Sequence, residues 1–154
     1  MSDKDDVQVR EFVRENYVVY LDEKIGRGAF SKVYRAKFND MIVAAKVINI
    51  KKMDKRVVNQ LNRELKIISI LTEYPHPNIL KYYNVEKLPD YIIILMEICE
   101  GGDLKDVLEK GITERTTRDL MKQLVRSYLH LLKFSIVHRD IKPTNILISD
   151  GVLK

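Results

Sequence analysis

The stretch His138-Arg139-Asp140-Ile141-Lys142-Pro143-Thr144-Asn145, followed by the apolar Ile146-Leu147-Ile148, decides how the rest of the chain is read. Polar and turn residues fill a segment squeezed between a long apolar-striped stretch and an apolar strand, and packing does not explain them. A solvated loop is the plainer alternative. The residue types nevertheless suit one loop with chemistry in it. Asp140 is a carboxylate that orients a hydroxyl, Lys142 an ammonium that meets a phosphate, and Asn145 an amide oxygen that binds Mg²⁺.

N-terminal to this loop the pattern is helical. Over Thr113–Lys133, Leu120, Leu124, Tyr128 and Leu131 form one stripe, with Met121, Val125, Leu129 and Leu132 beside it. A stripe that wide predicts burial on more than one side. Thr113 is a capping residue and Glu114 an acid at the favourable end of the macrodipole. Leu104–Glu109 reads as a short helix capped by Asp103, and Cys99–Asp103 as a linker-like break. C-terminal to the loop, Asp150-Gly151 is a hairpin turn between two short strands.

The first hundred residues are rich in strand patterns. Tyr17–Gly28 alternates and then breaks at glycines, Lys32–Phe38 alternates again, Asn39-Asp40 is turn chemistry, and Met41–Ile50 is β-branched. Asp54–Leu71 switches to a helical period through Val58, Leu61, Leu65 and Ile68, and Pro75 and Pro77 end it. Leu80–Glu86 and Tyr91–Glu97 are two more strands, the second apolar enough for burial on both faces. The expected fold class is α+β: a five-stranded antiparallel sheet with one helix, then a mainly helical segment. Residues 1–15 read as a charged leader, partly helical through Val9, Phe12 and Val13.

Two further features carry chemistry. The stretch Gly26-Arg27-Gly28-Ala29-Phe30-Ser31-Lys32-Val33 brings two glycines together, which lets a backbone approach phosphates. A simple hairpin turn uses glycines in the same way. The pattern is neither a Walker A loop nor a Rossmann fingerprint, because it runs between two strands. Lys46, within Val43-Ala44-Ala45-Lys46-Val47, must snorkel or find an anion, and Glu64 on the following helix is a candidate partner.

Taken in order, the glycine-rich loop, Val43-Ala44-Ala45-Lys46, the helix glutamate Glu64, and His138-Arg139-Asp140 with Asn145 resemble the eukaryotic protein-kinase family. The resemblance runs from about Tyr17 to Lys154. It implies an N-lobe over residues 16–97, a hinge over 98–103, and an incomplete C-lobe over 104–154. It implies that Ile25, Gly26, Gly28 and Val33 cover ATP and that Ala44 lines the adenine. Lys46 would hold the α/β-phosphates, paired with Glu64. Met96 would lie at the back of the nucleotide pocket, and Glu97 and Cys99 would offer hinge backbone to adenine.

The same resemblance makes Asp140 the catalytic base, Lys142 the group that stabilises the transferring phosphoryl, and Asn145 a Mg²⁺ ligand. Lysine two residues after Asp140 resembles the serine/threonine kinases. Ser31 stands where the loop's third glycine is usual. The family's Asp-Phe-Gly motif is expected just after the strand pair that follows Asn145, whereas the sequence stops at Lys154, so a truncated domain is expected. The implied reaction transfers the ATP γ-phosphoryl group to a protein serine or threonine. The alternative is an inactive kinase-like module that binds nucleotide or a partner, such as another kinase or a regulatory protein.

Composition agrees with a folded domain. The 154 residues are 45% hydrophobic and 32% charged, and a chain of that length buries about 70% of its unfolded surface. The single Cys99 excludes an intrachain disulfide and fits a reducing compartment. Stretches without a charge or a proline, such as Tyr91–Met96, reach only six residues, far below the about 20 of a membrane span. The polar start, MSDKDDVQVREF, has no secretory apolar run. A cytoplasmic protein, or a nuclear one, is expected, with no membrane partner. The net charge of +5 and the cluster Lys51, Lys52, Lys55, Arg56 and Arg63 are interleaved with a helix stripe, which favours a solvated face over a nucleic-acid patch.

Overall fold

The computed structural model describes residues 11–51 and 53–154, which divide into two compact units. The first holds the chain up to Val58 together with Asn84–Met96; the second holds Asn59–Tyr83 and Glu97–Lys154. The N-terminal sheet has six antiparallel-patterned strands: β1 (Glu11–Val13), β2 (Tyr17–Arg27), β3 (Ser31–Phe38), β4 (Met41–Asn49), β5 (Tyr82–Lys87) and β6 (Tyr91–Met96). Their order is β1-β2-β3-β4-β6-β5. The five expected strands are therefore joined by a sixth. The helical leader is corrected at Phe12 and Val13, which belong to β1, while Val9 lies outside the described residues. Alternating short segments pair at a sheet edge more readily than three residues nucleate a helix.

Within the first unit, register explains the core. Val19 pairs with Ala36, Ala36 with Val43, Tyr34 with Ala45 and Ala45 with Leu95, so these side chains share one face. Val19, Ala36, Val43, Ala45 and Leu95 are all essentially inaccessible. Ile92–Leu95 is buried on both faces, as its unbroken apolar run predicts. The β3–β4 hairpin turns through Asn39 and Asp40, both at positive φ (44° and 66°), the conformation a two-residue type I′ turn demands. Glu86 accepts hydrogen bonds from Tyr17 Oη and from Arg14 Nε (3.1 Å), tying the β1–β2 turn to β5. Burial, then Glu86, pushes the Tyr17 phenol up.

Helix α1 spans Lys55–Glu73, and Asp54 Oδ1 caps it by accepting from the Arg56 and Val57 amides. Its buried residues, Leu61, Leu65, Ile68 and Leu71, keep the expected spacing. In the second unit, α2 (Leu104–Glu109) and α3 (Glu114–Lys133) carry the expected caps: Asp103 accepts from the Asp106 amide at 3.0 Å and Thr113 from the Thr116 amide at 3.2 Å. Strands β7 (Ile148–Ser149) and β8 (Val152–Leu153) turn through Asp150-Gly151.

Two small cores hold this second unit. One gathers Leu71, Leu131 and Ile136 with Tyr82 and Phe134; the other gathers Ile146, Ile148 and Leu153 with Leu120 and Leu124 of α3. Only one side of α3 is covered. Met121, Val125, Leu129 and Leu132 are exposed, which corrects the expectation of burial on more than one side. Period shows which residues are apolar, not how many neighbours a helix has.

Candidate functional site

The loop after α3 brings its three expected residues together. Asp140 Oδ2 accepts from Asn145 Nδ2 at 2.7 Å and pairs with Lys142 Nζ at 3.0 Å. Asn145 Nδ2 also donates to the Asp140 carbonyl at 3.0 Å. Pro143 starts a 3₁₀ turn over Pro143–Asn145 with its fixed φ, and that turn swings Asn145 back over Asp140. The Asp140 amide donates to His138 Nδ1 at 3.3 Å, and Arg139 between them holds φ at 65°, a left-handed conformation uncommon for a long side chain. Hydrogen bonds from Lys142, then Asn145, hold the exposed Asp140 carboxyl below the usual carboxylate range. Both partners use Oδ2, which leaves Oδ1 for an incoming group.

What fixes this loop was not read from the sequence. Residues Cys99–Asp103, expected as a linker, are clamped to the strand after the loop. The Gly101 amide donates to the Ile148 carbonyl at 3.0 Å, Asp103 bridges Leu147, and the Leu104 amide donates to the Ile146 carbonyl at 2.8 Å. The strand expected over Ile146–Ile148 is observed at Ile148–Ser149, and Leu147 extends its hairpin by exchanging backbone hydrogen bonds with Lys154 at 3.1 and 2.8 Å. A Cβ on Gly101 would stand 2.6 Å from the Ile148 carbonyl oxygen, so only glycine fits. Buried Asn78 donates to Gln123 Oε1 (2.9 Å) and to the Leu153 carbonyl (3.2 Å), fastening the Pro75–Ile79 loop to α3 and β8.

In the first unit the remaining predicted residues gather on one face of the sheet. Val33 pairs with Lys46 and Lys46 with Ile94, while Ala44 pairs with Met96, so Val33, Ala44, Lys46 and Met96 look the same way. Gly26 pairs with Val33, and a Cβ there would meet Val33 Cβ at 3.4 Å. A Cβ on Gly28 would meet Ser31 Oγ at 2.9 Å, so the turn closes only around glycine. Ile25 lies in β2 and is exposed. In the second unit, Glu64 is an exposed residue of α1. Glu97 Oε1 accepts from the Lys81 amide at 2.7 Å, and its Oε2 pairs with Lys154 Nζ at 3.0 Å in a largely buried bridge that no spacing rule reveals. Burial, then Glu97, pushes the Cys99 thiol up to about 11.

The sequence model of the protein kinase domain matches residues 19–154. The chain belongs to the protein kinase family. It is 41% identical over 137 residues to the MAP kinase kinase kinase SSK2 of Saccharomyces cerevisiae, covering 84% of this chain and 8% of that protein. It is 38% identical to the serine/threonine-protein kinase atg1 of Dictyostelium discoideum, covering 84% of this chain and 20% of that protein. It is 35% identical to a putative serine/threonine-protein kinase of Acanthamoeba polyphaga mimivirus, covering 92% of this chain and 34% of that protein. The chain thus spans between 8% and 34% of each of these relatives.

Kinase domains use ATP and usually Mg²⁺. Among the described residues there is no group of three or more histidine, cysteine or acidic side chains placed to hold a metal, and no helix is long and apolar enough to cross a membrane. The oxygen donors of Asp140 and Asn145 are nevertheless of the class that Mg²⁺ takes, with waters and phosphate oxygens completing its shell. In this kinase family member, then, the sheet face and the loop each present a coherent set of groups.

Proposed function

We propose that this chain carries the nucleotide-binding and catalytic-loop segments of a serine/threonine protein kinase, which transfers the γ-phosphoryl group of ATP to a protein hydroxyl. The observation that supports it is the convergence of Lys142 and Asn145 on Asp140 Oδ2, at 3.0 and 2.7 Å. Asn145 uses its N–H on Asp140, which leaves Oδ1 as a neutral oxygen donor that would help hold Mg²⁺. Mg²⁺, when bound, draws charge from the phosphates.

The chain's own residues divide the remaining work. Lys46 meets the α/β-phosphates from the sheet face, and the loop at Gly26 and Gly28, with no Cβ at either position, lets backbone come close to them. Ala44 leaves room for adenine, Met96 closes the back of that pocket, and the backbone of Glu97 and Cys99 offers hydrogen bonds to the base. Asp140 is ionised across the neutral range because its carboxyl is held low. Its free Oδ1 orients the substrate hydroxyl and takes its proton as the new O–P bond forms and the bond to the leaving ADP breaks. Lys142 offsets the charge on the transferring group.

Transfer of labelled phosphate from ATP to a generic protein substrate tests this. Asp140→Asn should lower the rate by about 10²–10⁴-fold while nucleotide affinity stays unchanged. Nucleotide binding with no transfer by the unsubstituted chain would leave the reading of an inactive nucleotide-binding module.

A further inference from the structure

The sheet has a second face. Lys32, Val47 and Ile93 pair in one row, and Tyr34 and Val19 lie on the same side by alternation. That side is opposite to Val33, Ala44, Lys46 and Met96. It holds a cavity of about 620 Å³, entirely within the first unit. Of the residues assigned to nucleotide, only Gly28 reaches it.

The lining is amphipathic in a definite sense. Val19, Tyr34 and Ile93 form a buried floor, and Phe30 (59% exposed) and Tyr91 (41% exposed) stand at the rim with aromatic surface open. Among the described residues, Arg27 and Lys32 are its charged lining groups, no aspartate or glutamate joins them, and neither cation forms an ion pair. A volume of this size with a mainly apolar wall and a few polar groups suits a small organic ligand. Its charge sign is set by the two unopposed cations.

We infer that this back face of the sheet is a second binding site, which takes a small amphipathic organic anion with an aryl or alkyl body and a carboxylate head. The body lies on Val19, Tyr34 and Ile93 beneath Phe30, and the head meets Arg27 and Lys32. Because Gly28 and Phe30 belong to the loop whose other side is proposed to cover ATP, an occupant props that loop from behind. The site itself is independent of the nucleotide reading, and its test needs no nucleotide.

The probes are 4-phenylbutyrate, the neutral 4-phenylbutanol and the cationic 4-phenylbutylamine, titrated into the 154-residue chain while the methyl resonances of Val19, Val47 and Ile93 are followed. The carboxylate should shift those methyls saturably and bind about fivefold tighter than the alcohol, with the amine weakest. The double variant Arg27→Gln/Lys32→Gln alters only exposed side chains and should bring carboxylate affinity down to that of the alcohol. Equal binding of the amine and the carboxylate, or an unchanged carboxylate affinity in the double variant, would overturn the assignment. So would shifts confined to the Leu129 and Leu132 methyls of α3. Shifts at Val19, Val47 and Ile93 that grow with protein concentration alone would replace the ligand with a second copy of the chain. Saturation by an aromatic-acidic peptide but not by phenylbutyrate would replace it with a peptide groove.

Discussion

Strand β6 and helix α3 are both read from apolar patterns, yet they end in opposite environments. Ile92, Ile93, Ile94 and Leu95 of β6 are each no more than 4% exposed. In α3 only Ser127 and Leu131 are buried, although its apolar stripe is wider. The difference lies in partners: β6 is paired along its length with β4 and has side chains above and below, whereas α3 meets Ile146, Ile148 and Leu153 through Leu120 and Leu124, and Leu71 and Ile136 through Leu131, with its other side open. Apolar content measures the capacity for burial; neighbours decide how much of it is used.

Four measurements sharpen that contrast. The largest effect is expected in the sheet. Leu95→Ala removes a side chain that is 1% exposed and should cost about 2–5 kcal/mol in denaturant unfolding. Leu129→Ala, at 54% exposed, should stay within about 0.5 kcal/mol; equal losses at the two positions would break the comparison. Next comes Gly101→Ala, whose Cβ would press to 2.6 Å on the Ile148 carbonyl. It should cost about 1–3 kcal/mol and raise amide exchange over Gly102–Ile148, and an unchanged melting point would show that the clamp on the His138–Asn145 loop yields freely.

A smaller effect is a pH dependence of the second unit. His76 accepts from the Asn78 amide through Nδ1, which requires its neutral form on that nitrogen. Burial, then His130, and then Lys133 and Arg126, hold its pKa below the ordinary 6.5. The unfolded chain therefore takes up the proton first as pH falls through about 6.5. Stability is complete above that value and declines below it until the folded histidine also titrates. His76→Asn should flatten the dependence, and a melting temperature equally steep in the variant would refute the role of His76. The smallest effect is on solubility: Met121→Lys with Leu129→Lys should reduce self-association measured by light scattering, with little change in unfolding midpoint, because both side chains are already exposed.

Much of the molecule was legible before any coordinates. The strands from Tyr17 to Met96, the turn at Asn39-Asp40, the caps Asp103 and Thr113, and the Asp150-Gly151 hairpin follow from local rules, because alternation, positive φ and capping each involve residues close in the chain. The loop residues Asp140, Lys142 and Asn145 were legible as a group for the same reason, being five residues apart at most. The edge strand Glu11–Val13 was not, since three residues carry too little pattern to outweigh a helical alternative.

Other features depend on residues far apart in sequence. Glu97 finds Lys154, Asn78 finds Gln123 and Leu153, and Gly101 meets the Ile148 carbonyl. Strand alternation had already split β3 and β4 into two faces, one with Lys46 and one with Val47. Pairing with β2 and β6 was needed to gather Val33, Ala44, Lys46 and Met96 on the first and to make the second a cavity bounded by Arg27 and Lys32. Local chemistry thus set which groups exist and which way each points along its own element, because backbone dihedrals and side-chain period act over a few residues. Burial, the clamp on the His138–Asn145 loop and the exposed stripe of α3 were set by long-range packing, because each depends on what a distant segment brings within a few ångströms.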